Sequence, residues 1–258
     1  MPSSDPDNQA IPTGKQITPE EHMTDEFSQG TRQLRVATMG HAGHGKTTLT
    51  AAINHVLSMN GRAKKESSKF QGAEIHRSEY ASDKCVYEHI DAPTDLVPNT
   101  ISGAAQFDAA ILVVSAADGP LEQTRDHILH AKEAGVPRIV AFVNFCDMVD
   151  DNELLELVEL EVRDLLSFCG FAGDDAPVIN GSALRALEAR SADDPWARKV
   201  IDLVASLDRH IPLSETRVPR APQAAQTTPP VKAPDAARPP GAVPSLTERL
   251  RDLFGRKR

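Results

Sequence analysis

The chain has 258 residues, 40% of them hydrophobic, which supports one large core or two small ones and excludes a fully disordered protein. Three widely spaced cysteines, Cys85, Cys146 and Cys169, form neither a metal-ligand pair nor a disulfide framework and are expected to be reduced thiols of a cytoplasmic protein. The net charge of -9 disfavours broad electrostatic binding to nucleic acid.

Residues 1–32 are polar, acidic and interrupted by Pro and Gly without apolar periodicity, so a disordered tail is expected there. They have no basic segment leading into an apolar one, and nowhere does the chain approach the roughly 18 uninterrupted apolar residues that cross a bilayer. Neither secretion nor a membrane span is expected.

From Leu34 the pattern changes. LRVATMG reads as a buried strand entering a glycine turn, and KTTLTAAINHVLSM reads as the helix that follows. Further strands are predicted at CVYEHI, AAILVVSA and RIVAFVN, which are rich in β-branched residues. Helical spacing of apolar residues appears in LEQTRDHILHAKEAG, NELLELVELEVRDLLSF and PWARKVIDLVASLDRHI. Such alternation predicts an α/β domain over 33–213, with a mostly parallel central sheet and helices on both faces.

Beyond it the composition shifts again. Residues 214–244 form a Pro-rich linker of extended character, and SLTERLRDLFGRKR, 245–258, reads as a short basic amphipathic helix. Ser245 and Glu248 have capping-box spacing, and Leu246, Leu250, Leu253 and Phe254 share one face. From Thr216 onward nine Lys or Arg face three Asp or Glu, so the rest of the chain is more acidic than the net charge states. The apolar stripe could meet the protein's own domain, an anionic membrane or a groove on another protein, the alternative being a frayed, merely solubilising tail. A protein partner is the preferred reading, because the face is small for membrane anchoring without a second signal.

The chemistry concentrates in Gly40-His41-Ala42-Gly43-His44-Gly45-Lys46-Thr47, followed by Thr48. This is the P-loop pattern, set between a strand and a helix as that motif requires. Its glycines let successive backbone N–H groups converge on phosphate oxygens, and the helix N-terminus adds a favourable dipole. Lys46 then supplies a charge to the β- and γ-phosphates, and the Thr47 hydroxyl suits Mg2+.

GHAGHGKTTLTAAI, ISGAAQFDAAILVVSAADGPLEQTRDHIL, AGVPRIVAFVNFCDMVDDNELLELVELEVRDLL and GSALRALE resemble, in order and at similar spacing, the GTPase domain of bacterial elongation factor Tu. The resemblance spans about two thirds of the chain and implies a P-loop NTPase G domain that binds GTP or GDP with Mg2+. It places guanine recognition on Asn144 and Asp147, where Asp147 accepts from the base N1–H and exocyclic amine and Asn144 braces the loop. Ser182, Ala183 and Leu184 fall on the loop whose backbone contacts the guanine O6. Asp91 falls on the residue that holds a Mg2+-bound water.

Several positions depart from the family pattern. Phe145 stands where a Lys stem packs over the base and ties its loop to the P-loop. Ala42 and Gly43 replace a Val-Asp pair. Thr94, in Asp91-Ala92-Pro93-Thr94-Asp95, stands at the glycine whose N–H senses the γ-phosphate, and no His follows it to position water. Gln71-Gly72-Ala73-Glu74-Ile75 stands where Arg-Gly-Ile-Thr-Ile carries the second Mg2+-binding Thr. The resemblance therefore implies retained nucleotide binding with slow or partner-dependent hydrolysis. The alternative is a non-hydrolysing regulatory interaction module. The family's two β-barrel domains have no counterpart in the sequence, so binding of aminoacyl-tRNA by this chain alone is not expected.

Overall fold

In the computed structural model, the structure describes residues 32–70, 73–91 and 107–211. The expected acidic tail, Pro-rich linker and amphipathic helix, together with Thr94, Asp95, Gln71 and Gly72, lie outside the described residues. Seven strands form one sheet: β1 Arg32–Met39, β2 Ala63–Phe70, β3 Ala73–Ala81, β4 Cys85–Asp91, β5 Ala109–Ser115, β6 Ile139–Asn144 and β7 Val178–Asn180. Five α-helices accompany them: α1 Lys46–Ser58, α2 Glu122–Glu133, α3 Asn152–Phe168, α4 Ala183–Glu188 and α5 Pro195–His210.

The strand order is β2-β3-β4-β1-β5-β6-β7. From β4 to β7 all neighbours are parallel, whereas β2, β3 and β4 pair antiparallel. Every residue of β5 and β6 is buried, which is why their sequences are continuous apolar runs rather than alternating ones. The pleat divides those runs between two cores. Ile111, Val113, Val140 and Phe142 join α1, α4 and α5 on one face, while Ala110, Leu112, Val114, Ala141 and Val143 join α2 and α3 on the other.

Two of the strands, β2 and β3, differ from the sequence reading, which placed none between KTTLTAAINHVLSM and Cys85. AKKESSKF offers no apolar alternation, and β2 forms because β3 offers it a partner, from Ala63↔Tyr80 to Phe70↔Ala73. Tertiary pairing here overrides a weak local signal. Its Lys-rich composition suits the sheet edge that it occupies.

One buried carboxylate ties this part of the sheet to the last helix. Asp208 of α5 accepts hydrogen bonds from the Ser82 hydroxyl and the Tyr87 phenol, each at 2.7 Å. Burial is the largest cause raising the Tyr87 pKa, followed by its bond to Asp208, and the phenol stays protonated as donor. No described helix is long and apolar enough to cross a membrane.

The sheet topology positions the site. β1 has a parallel neighbour on each side, and the chain reaches them in opposite directions, so a crevice opens beyond its carboxyl end. The loop after β1, Asp91 at the end of β4, Asn144 at the end of β6 and the loop after β7 all meet this one edge of the sheet.

Candidate functional site

The loop between β1 and α1 turns on glycines in conformations that side chains resist. Gly40 has φ 139 and Gly45 has φ 87. A Cβ on Gly40 would overlap the Val113 carbonyl oxygen, and one on Gly45 would overlap the Asn144 amide. Both positions therefore need glycine for space as well as for backbone angle.

Within the loop, Lys46 is 7% exposed, and its ammonium donates to Gly40 O at 3.1 Å and His41 O at 3.0 Å. Burial pushes its pKa down, while the nearby Asp91 carboxylate opposes that shift. A cation so placed, beside the open N-terminus of a 13-residue helix, can receive phosphate oxygens.

Two imidazoles hold the loop from beneath. His44, 2% exposed, accepts the Ser115 N–H on Nδ1 at 3.2 Å, and its Nε2 lies 3.9 Å from Asp118, beyond hydrogen-bond range. His127 of α2, also 2% exposed, accepts the Gly40 N–H at 3.3 Å. One helical turn earlier, Gln123 accepts the Ala42 N–H at 3.2 Å. Burial lowers the pKa of both His44 and His127 to about 4, so each is neutral near pH 7, His127 accepting from the loop's backbone and His44 tying the loop to the end of β5. His41 is partly exposed, with Nδ1 against Ala42 O and its ring 5.0 Å from that of His44.

At the opposite end of the crevice stands Asn144, which is fully buried. Its Nδ2 donates to His44 O and its Oδ1 accepts from Ala183 N, both at 2.9 Å. One side chain thereby joins the phosphate loop, the end of β6 and the start of α4. Phe145 follows in the left-handed region, φ 65, the sole non-glycine there among the described residues. Its ring tip would lie 3.4 Å from a Cβ placed on Gly45, so the ring borders the P-loop.

Asp147, in the 3-10 turn Cys146–Met148, is 13% exposed, and Arg185 Nε donates to its Oδ2 at 3.2 Å. Ser182 caps α4 by accepting from Arg185 N. Because Asn144 takes the Ala183 amide, the Leu184 N–H remains in the first turn without an intrahelical acceptor.

Asp91 and Thr47 form the third part. Asp91 is 2% exposed, with Oδ1 free of any hydrogen-bond partner, and the Thr47 hydroxyl hydrogen-bonds the carboxylate. Burial raises the Asp91 pKa, against the opposing effects of Thr47, Lys46 and His76. A buried carboxylate with an orphaned oxygen beside a hydroxyl is a hard oxygen donor set, and it fits Mg2+. No cluster of three or more His, Cys, Asp or Glu among the described residues holds a metal by itself.

The structure thus brings the P-loop from Gly40 to Thr48, Asn144, Asp147, the Ser182-Ala183-Leu184 loop and Asp91 to one sheet edge. Sequence reasoning passed over Gln123, His127 and Arg185. Gln123 and His127 had a usable signal, since i, i+4 spacing puts them on one helix face; Arg185 had none, being paired across 38 residues.

A glycine-rich P-loop on the central strand, with the loops after β6 and β7 meeting it at the same end of the sheet, defines an α/β P-loop protein of the G-domain class. The profile described as the elongation factor Tu GTP binding domain matches residues 31–213. The chain belongs to that family.

Asn144→Ala should remove both clamp bonds and leave His44 O and Ala183 N buried without partners, at about 1–3 kcal/mol for each group. Urea unfolding should show a loss of about 2–4 kcal/mol; a variant as stable as the parent would mean that the clamp contributes nothing. A second expectation concerns pH. His44 and His127 titrate at about 4 when folded against 6.5 ordinarily, so between those values the unfolded chain binds more protons. Stability is then fully present above pH 6.5 and falls as pH drops toward 4. Melting temperatures should follow that course, and His127→Gln, which keeps an acceptor for Gly40, should flatten it; an equal slope in the variant would contradict the assignment.

Proposed function

We propose that the chain binds GTP and GDP as their Mg2+ complexes and hydrolyses GTP slowly or only with a partner. The observation that carries this reading is the Asn144 clamp, which fixes the phosphate loop and the base loops relative to each other. Lys46 and the P-loop amides from Gly43 to Thr48 hold the phosphates. Thr47 and Asp91 hold Mg2+, which when bound neutralises phosphate charge. Asp147 accepts the N1–H and exocyclic amine of guanine, a pair of donors that adenine lacks. The Leu184 N–H is the free donor for O6.

Phe145 supplies an aromatic surface in place of a cationic tie, so base selectivity should be weaker than is usual for the family. Thr94 at the sensor position, with no following His, withdraws groups that act mainly in the transition state. Loss of one comparable donor costs about 2.7–4 kcal/mol. Those two positions also favour a second reading, a regulatory module that binds nucleotide without turning it over.

Titration with GDP, GTP and ATP in the presence of Mg2+ should show preference for the guanine nucleotides, and Lys46→Ala should weaken all three at least tenfold. Equal affinity for ATP and GTP would sink the role of Asp147, and unchanged binding by the variant would sink that of Lys46. Single-turnover phosphate release should run about 100-fold or more below that of elongation factor Tu. A matching rate would show that another residue orients the attacking water.

A further inference from the structure

The antiparallel pairing of β3 with β4 sets His76 directly opposite Asp91. Residues opposed in this way project to the same face of a sheet, so the imidazole stands beside the carboxylate that the Thr47 hydroxyl also touches. Two atoms there lack partners. His76 Nδ1 and Asp91 Oδ1 are both shielded from solvent and without a hydrogen bond, and the Asp91 carboxylate is itself 2% exposed. The alternative, a histidine that merely fills space, normally has its ring nitrogens satisfied by protein or water. Here a nitrogen and a carboxylate oxygen, both without partners, lie on one face of the sheet at neighbouring register positions beside the phosphate loop.

We propose that His76 is a further protein group of the divalent-cation site, adding an imidazole nitrogen to the oxygens of Thr47 and Asp91. This rests on the reading of the site as one for a nucleotide, whose phosphate oxygens complete the ligand set. Mg2+ takes oxygen donors almost exclusively, whereas first-row transition ions accept imidazole readily. The site therefore shifts preference from Mg2+ toward Mn2+ and its neighbours in the row.

The test uses the full chain with Mn2+ as a paramagnetic probe, with and without GDP. Pulsed EPR should show imidazole 14N coupling that disappears in both His76→Ala and His76→Gln, alongside 31P coupling when GDP is present. The ratio of Mn2+ to Mg2+ affinity, measured by competition, should fall about tenfold in either variant. Circular dichroism melting identifies a variant that has lost its fold, and the wild-type spectrum decides the matter without any variant. Nitrogen coupling that is indifferent to GDP would keep the cation site and remove the nucleotide reading. Phosphorus coupling without nitrogen coupling would keep the nucleotide and overturn the role of His76. Neither coupling would overturn both.

Discussion

The crevice depends on the side chain of Asn144. Its amide nitrogen and oxygen are committed in opposite directions, to His44 O and Ala183 N, and it sits where a Cβ on Gly45 would otherwise be. A primary amide is the group that can donate on one side and accept on the other at fixed spacing. An Asp there would lose the donor, and an aliphatic residue would lose both. Because Asn144 ends a strand whose six residues are all buried, the clamp is anchored in the interior of the sheet. The loops that it joins inherit that position.

The same economy governs charge. Around Lys46 the chain places the neutral carbonyls of Gly40 and His41 as acceptors, together with the Asp91 carboxylate, which opposes the fall in its pKa. The nearest acid in the site, Asp91, is buried and itself incomplete.

Much of the fold was legible because β5 and β6 are apolar runs buried on both faces, because β1 and β4 alternate buried with more exposed residues where they begin, and because α1, α2, α3 and α5 repeat their apolar residues at helical spacing. β2 and β3 were not, since a polar edge hairpin takes its conformation from its neighbour rather than from its own residues. The three residues of β7 are too few for any period, and α4 is short enough to pass for a loop. In the site, the P-loop, Asn144 and Asp147 were legible because each belongs to a contiguous motif. Gln123, His127 and Arg185 were not, since they arrive through contacts that are remote along the chain, such as the 87 residues between Gly40 and His127. The i, i+4 spacing of Gln123 and His127 marks one helix face, but which loop that face supports is set by packing.

The position of Lys46 carries a consequence for how a ligand would be received. Its ammonium spans Gly40 O and His41 O, while the amides of Gly40 and Ala42 are held by His127 and Gln123. The loop is thus ordered by the protein itself. An incoming anion exchanges one set of oxygens on the ammonium for another and has little chain to fix in place. Binding of this kind loses little conformational entropy, and its association rate is governed by encounter and local hydrogen-bond exchange rather than by folding of the loop around its guest.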